Sequence, residues 1–379
     1  MTSPQRVRAV FDGEAPDRIP ICEQAFASSV ASEILGYEAF TGSTDLHYFE
    51  ACAWLNGEQA HDEFVEKCYK DTIALHRALH FDIFFLPWRM PQRPTRRLDE
   101  YRILYGDPDG NDWRVYAYDP CSRTYGLAET AKRDEDPEEV IVKVREFVDN
   151  YNNFAGRDVT DVPPVINPLL LRAVRELSYE FVIAGDAFCA LPLDAGWLEA
   201  TVLDPGLLAA WFEIIGCEQA RHIQAQHDIG IWLINGGGDL AFNSGLAYSP
   251  KFFEQAVYPA YRTQFEACHK NNMKFIFRSD GDIWRISDLL FGDNVADAFY
   301  EIDHNAGMTL DKLREKYPEL VLLGNVPCDM LHSGTPEQVR DFAQWCIDVA
   351  SPRLVLASSN SVLHGTPAEN ILAMYEVVQ

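Results

Sequence analysis

Eight short apolar runs punctuate the chain, most of them separated by amphipathic stretches. They are RIPICE (18–23), DIFFLP (82–87), FVIAGDAF (181–188), IWLING (231–236), KFIFRSD (274–280), AFYEID (298–303), LVLLGN (320–325) and LVLASSN (354–360). Near-continuous apolar runs of this length read as strands buried on both faces, as in a parallel sheet covered by helices. Helix signals follow the later runs. Ser249-Pro250 opens SPKFFEQAVYPAYRTQFEACHKN, Asp282 is placed to cap DIWRISDLLF, and Thr309 to cap TLDKLREKY. In TPEQVRDFAQWCIDVA (335–350), Thr335 at the N-cap, Pro336 after it and Gln338 at the third position form a capping box. TPAENILAMYEVVQ ends the chain on the same pattern. Eight strands, each mostly followed by a helix, predict an α/β fold of the (β/α)8 TIM-barrel type. A doubly wound open sheet is the alternative, and the count and the length of 379 residues favour the barrel.

The spacing between the second and third runs is too long for one βα unit. An insertion is expected over about 88–179, within a single barrel domain covering 1–379. In it, YRILYGDPDGNDWRVYAYD (101–119) reads as a hairpin around DPDGN, and PEEVIVKVREFVDNY (137–151) as a helix.

Composition narrows the partners more than the fold. The formal net charge of -26 opposes the basic footprint of nucleic-acid binders and of proteins on anionic membranes. The longest apolar runs are too short to span a bilayer, and the N-terminus lacks the apolar stretch of a signal peptide. The nine cysteines are odd in number and include no C-x-x-C, which predicts neither a disulfide framework nor a zinc ribbon. The expectation is an acidic cytoplasmic protein acting on a small molecule.

Barrel chemistry sits at the C-terminal ends of the strands. Those ends carry Asp239 after the fourth run, Arg278, Asp280 and Asp282 after the fifth, and Glu301, Asp303 and His304 after the sixth. Asn325 and Asn360 end the seventh and eighth. Asp280, Glu301, His304 and Asp239 are candidates for proton transfer, since carboxylates and imidazole are the usual general acids and bases. The same four are the set to test for a metal. Arg278 is a candidate anion clamp, with an ion pair to Asp280 or Glu301 as the plainer reading. Asn325 and Asn360 offer neutral contacts to a substrate or to loop carbonyls. Trp88, Phe188 and Tyr248 are candidate aromatic walls, although such residues more often pack the core. Asp282 is most simply a helix cap, and His332 and His364 are expected on the surface.

Several segments, in order, resemble the uroporphyrinogen decarboxylase superfamily, which also contains cobalamin-dependent methyltransferases. They are PDRIP, GGGDLAFNSGLAYSPKFFEQAVYPAY, FIFRSDGDI, EIDHNAGMTL, LLGNVPCDMLHSGTPEQV and TPAENILAMYEVV. The resemblance spans residues 10 to 379, is clearest after 180, and implies a (β/α)8 barrel. Porphyrinogen decarboxylases carry an arginine-rich segment after the first strand, where this chain reads ICEQAFASSVAS. They place a tyrosine after the third strand, here FCALPLDAG, and a histidine near Asn360. Their essential aspartate has a possible match in Asp82. An octa-carboxylate substrate needs cationic partners, so true uroporphyrinogen decarboxylation is disfavoured. The zinc methyltransferases of the superfamily place His-x-Cys where Arg278 and Asp280 stand, and a second cysteine, the third ligand, within 358–361, here SSNS. Arginine stays protonated and serine is a poor thiolate substitute, so that standard zinc site is absent.

What remains is similar to methyltransferase-like members with an S-D-G-[DN] segment. That likeness implies transfer of a methyl group from a small ether or amine to a corrinoid on a partner protein. The alternatives are a decarboxylase acting on a porphyrinogen or smaller carboxylate, and a non-catalytic tetrapyrrole or corrinoid binder.

Overall fold

The computed structural model describes all residues except 91, 132–134, 156–163, 293–294 and 379. Thirteen strands are assigned among the described residues: β1 (Ile83–Phe84), β2 (Arg96–Arg97), β3 (Arg102–Tyr105), β4 (Arg114–Asp119), β5 (Thr124–Thr130), β6 (Val182–Phe188), β7 (Leu233–Gly237), β8 (Ala241–Phe242), β9 (Gly245–Leu246), β10 (Lys274–Arg278), β11 (Ala298–Tyr300), β12 (Val321–Leu323) and β13 (Leu354–Val355). Seven of them form a curled parallel sheet in the order β1-β6-β7-β10-β11-β12-β13. These are the second to eighth apolar runs.

The first run supplies the missing stave without counting as a strand. Ile21 bridges in parallel to Leu356, and the Leu356 amide donates to the Pro20 carbonyl at 2.9 Å. On the other side the Asp82 amide donates to the Ile21 carbonyl at 2.8 Å. The ring therefore closes between its first and last members, which removes the sheet edges. Alternation fills the bore with Ile83, Phe85, Val182, Ala184, Leu233, Ile276, Ala298, Val321, Leu323 and Val355, all buried. Val7, Val10 and Phe11 of the helix Ser3–Asp12 plug its lower end.

At that lower end Asp82 is fully buried and clamped. Its carboxylate takes Arg6 Nη1 at 2.6 Å, Arg18 Nη1 at 2.8 Å and the Ile21 amide at 2.9 Å. The match of Asp82 to a decarboxylase aspartate is corrected on this ground. Asp82 begins its strand, opposite the catalytic end, and its charge is committed to holding the first two staves together.

The helix signals hold with small shifts. Ser249 caps the helix that begins at Pro250, and its Oγ accepts from the Phe252 amide at 3.1 Å. Asp282 lies one residue before the N-cap, Ile283, of the next helical segment and accepts from the Trp284 amide at 3.0 Å. The capping box of Thr335 and Gln338 is formed. The last helix, Ala368–Glu376, starts one residue later than read, with Pro367 rather than Thr366 at the N-cap. Between β1 and β6, β2 to β5 make an antiparallel sheet that includes the expected hairpin, here β3 and β4. Tyr105, Tyr118 and Tyr125 pack it onto Tyr48 and Ala51 of helix Thr44–Leu55, with Tyr48 and Tyr118 stacked at 4.1 Å. Helix Pro137–Ala155 follows. Other parts of the expected 88–179 insertion, at 91, 132–134 and 156–163, lie outside the described residues.

All nine cysteines are free. Among the described residues no single helix is long and apolar enough to cross a membrane. The pair Ala195–Leu203 and Pro205–Asp228 passes only when taken together, and it is bent by 111°.

Candidate active site at the barrel mouth

Three strand ends lie in one register row: Phe188 of β6 pairs with Gly237 of β7, which pairs with Arg278 of β10. Gly237 brings no side chain to this row. Its φ of 122° favours glycine, and a Cβ there would lie 2.2 Å from the Arg278 carbonyl oxygen. The Arg278 guanidinium reaches the Phe188 ring, with 4.5 Å from its central carbon to the centroid. On the other side its Nη1 donates to Glu301 Oε1 at 2.8 Å. Stacking on an aromatic face and pairing with a carboxylate both suit a planar guanidinium.

Glu301 follows β11 directly. Its φ of 61° lies in the left-handed region, an uncommon place for a residue with a side chain. Two contacts pin it there: the ion pair with Arg278, and a short hydrogen bond donated by Gln24 Nε2. Gln24 Nε2 also donates to the Asn360 carbonyl at 3.2 Å, which ties the first, sixth and eighth staves together.

Asp280 stands two residues past Arg278 and makes no ion pair with it. Asn360 Nδ2 donates to Asp280 Oδ2 at 3.4 Å. Burial first, and then the negative charge of Glu301, Asp239 and Asp303, push the Asp280 carboxyl up to about 6. Beside it opens a cavity of about 490 Å³, lined among others by Asp280, Asn360, Asp303, Cys328, His332 and His364. Exposed apolar side chains border the mouth: Trp88 after β1, Phe188 at the end of β6, Phe242 after β7 and Leu363 after β13.

Five of the expected site residues thus come together: Arg278, Asp280, Glu301, Asn360 and Phe188. Trp88 is on the rim, its carbonyl 3.2 Å from His47 Nε2. Asp239 is exposed on its loop and reaches Asp280 through its field. Three expectations are corrected. His304 does not join the carboxylates. Asp303 accepts from the Asn305 and Ala306 amides, and the resulting turn lays the His304 ring edge-on against Phe342 at 5.3 Å and Trp345 at 6.2 Å in the outer helix layer. Asn325 is wholly buried, and its Nδ2 donates to the Ile302 and Met308 carbonyls, so it serves the loop rather than a substrate. Tyr248 is buried against Phe252 and is a core residue. With His304 turned away, the proposed ligand set of Asp239, Asp280, Glu301 and His304 is not assembled. Among the described residues no group of three or more His, Cys, Asp or Glu is arranged to hold a metal ion.

Other residues were not anticipated. His364 is half-buried in the cavity lining, with Nδ1 2.7 Å from Ser29 Oγ, whereas His332 is exposed, as expected, and borders the cavity. Glu23 is buried beneath the mouth. It accepts from the Ser358 amide and Oγ, both at 2.7 Å, and from the Tyr375 hydroxyl at 2.6 Å. Burial pushes its carboxyl up to about 7 against those hydrogen bonds, which act the other way. An apolar run that ends in Glu-Gln after Cys22 was the available signal for both Glu23 and Gln24.

Residues 195–379 match the family model of uroporphyrinogen decarboxylase (URO-D). This part of the chain is similar to the uroporphyrinogen decarboxylase family. The match includes β7, β10 to β13 and every residue of the Arg278, Glu301, Asp280 and Asn360 group. No match was found among curated proteins. Among solved structures, a methyltransferase from Methanosarcina mazei superposes over 100% of this chain and 98% of its own, with a TM-score of 0.62 and 16% identity. That likeness establishes the barrel fold along the whole chain. A sugar phosphate isomerase/epimerase from Parabacteroides distasonis covers 90% of this chain and 94% of its own at 9% identity, and its TM-score of 0.34 carries no argument.

Proposed function

We propose that the protein is a methyltransferase-type enzyme that moves a methyl group from a small methylated ether or amine to a corrinoid held by a partner protein. The observation that carries this reading is Asp280, a half-buried carboxyl at the barrel mouth that keeps its proton to about pH 6. A methyl ether is a poor electrophile because alkoxide is a poor leaving group. As the carbon–oxygen bond breaks, its electron pair stays on oxygen, and a proton delivered there lowers the barrier. Asp280 is the acid for that oxygen, and Asn360 holds its carboxyl in place. Arg278, stacked on Phe188 and paired with Glu301, clamps an anionic part of the substrate. The corrinoid supplies the nucleophile for the methyl group. The exposed apolar rim of Trp88, Phe188, Phe242 and Leu363 suits the face of such a macrocycle. The Methanosarcina mazei protein that shares this fold is a methyltransferase, which agrees with this reading.

The family match favours a second reading, decarboxylation of a carboxylate smaller than a porphyrinogen. Of the arginines at the strand ends, Arg278 is paired with Glu301 and Arg89 with Glu50, which leaves little cationic capacity for eight carboxylates. Incubation of the protein anaerobically with reduced cobalamin and a panel of methyl ethers and methylamines separates the readings. Methylated cobalamin formed by wild type and not by Asp280→Asn supports methyl transfer. Carbon dioxide release from unmethylated carboxylates, with no methylation of cobalamin, overturns it in favour of decarboxylation.

A further inference from the structure

The floor of the mouth contains two polar atoms that nothing in the described structure satisfies. Arg278 Nε is a buried N–H without an acceptor, and Asn235 Oδ1 is a buried acceptor without a donor. Asn235 is 7% exposed and ends the apolar part of β7. Its register partners are Ile276 of β10 and Asp186 of β6, and Leu233, two residues before it, faces the bore. Alternation therefore turns Asn235 to the bore as well, one layer below the row of Phe188, Gly237 and Arg278. Gly237, directly above it on the same strand, has no side chain to cover it. Leaving a buried donor or acceptor unpaired costs roughly 1–3 kcal/mol each, and native proteins rarely tolerate it. Here a donor and an acceptor sit a layer apart on adjacent strands, both buried, and do not satisfy each other.

We infer that Asn235 and Arg278 together form a substrate subsite for a small carboxylate carrying an O–H or N–H on the adjacent carbon, the pattern of a 2-hydroxy or 2-amino acid. The carboxylate accepts from Arg278 Nε, and the neighbouring O–H or N–H donates to Asn235 Oδ1. A simple carboxylate leaves the asparagine unsatisfied, and a neutral alcohol leaves the arginine so. The apolar remainder of the ligand lies against Phe188. This inference rests on the reading of Arg278 as the anion clamp and adds to it the group that distinguishes one carboxylate from another.

Calorimetric titration with glycolate and with acetate tests it, on wild type, Asn235→Val and Arg278→Met. Wild type is expected to bind glycolate about three- to ten-fold more tightly than acetate, the worth of one neutral hydrogen bond. Asn235→Val is expected to abolish that preference and leave acetate affinity unchanged. It should melt no lower than wild type, because it removes an orphaned buried polar group. Arg278→Met is expected to weaken both ligands. Equal binding of glycolate and acetate by wild type, or a preference that survives Asn235→Val, overturns the role of Asn235 while leaving the clamp standing. Unchanged binding in Arg278→Met refutes the clamp itself. Absence of carboxylate binding by wild type means that water alone bridges the two atoms and overturns the inference. A lower melting temperature in Asn235→Val with intact preference assigns Asn235 a structural role only.

Discussion

Two aspartates at opposite ends of the barrel show how position along a strand decides what a carboxylate does. Asp82 opens β1 at the closed end, where two arginines and a backbone amide surround it. Asp280 follows β10 at the open end, where Asn360 is its neutral partner and three other carboxylates press on it. The first is a paired ion that fastens the staves. The second is a crowded, desolvated acid that gives up its proton only near pH 6. Burial raises the energy of a charge in both places. Cations offset that cost at the bottom, and further anions add to it at the top.

The comparison breaks most sharply if the roles are exchanged by mutation. Asp280→Asn is expected to lower methyl-transfer turnover by roughly 10²- to 10⁴-fold, the usual worth of a general acid, measured as initial rates of cobalamin methylation. Its folded state should be no less stable than wild type at pH 8. Because the folded carboxyl titrates above its unfolded value, its contribution to stability is complete below about pH 4 and is lost as pH rises through about 6. Removing the charge therefore costs nothing on the alkaline side. Asp82→Ala should do the reverse. It leaves two arginines without their shared partner and is expected to lower unfolding free energy by about 3–5 kcal/mol in urea titrations.

Smaller effects sharpen the picture within the mouth. Arg278→Lys keeps the charge but loses the planar fork and the stacking on Phe188. It is expected to raise the KM of an anionic substrate by roughly 10- to 100-fold with a lesser change in kcat. Glu23→Gln isolates the second raised carboxyl. The wild-type contribution of Glu23 is present below about pH 4 and disappears as pH rises through about 7. Melting curves from pH 5 to 8 should therefore slope less steeply in this variant, without any change in the pH at which turnover falls.

Much of the barrel was legible in the sequence because buried parallel strands leave continuous apolar runs that solvent-facing segments do not imitate. The first stave was legible as a run, although its pairing shrinks to the Ile21–Leu356 bridge and a few backbone bonds. Arg278, Asp280 and Asn360 were legible because they stand where a strand ends and the mouth begins. His304 and Asn325 stand at equivalent positions and were misplaced. Beyond the last paired residue, direction is set by the local turn: the Asp303 cap sends His304 outward, and two carbonyls draw the Asn325 amide into the loop. The reverse happened with His364, which is half-buried in the cavity lining rather than out on the surface. Its loop folds against that of the exposed His332, so that a Cβ at Gly365 would lie 3.0 Å from the His332 ring, a proximity that sequence spacing does not encode. Asn235 left one trace, an amide at an inward-facing position of the run IWLING.

The most direct test of this account is the titration of the Asp280 carboxyl by carbon-13 NMR in aspartate-labelled protein, with its signal assigned by loss in Asp280→Asn. The account predicts a midpoint near 6, well above that of an ordinary aspartate, without any ligand present. A midpoint near 4 would mean that Asp280 is ionised throughout the working range, and would remove the acid on which the proposed methyl transfer depends.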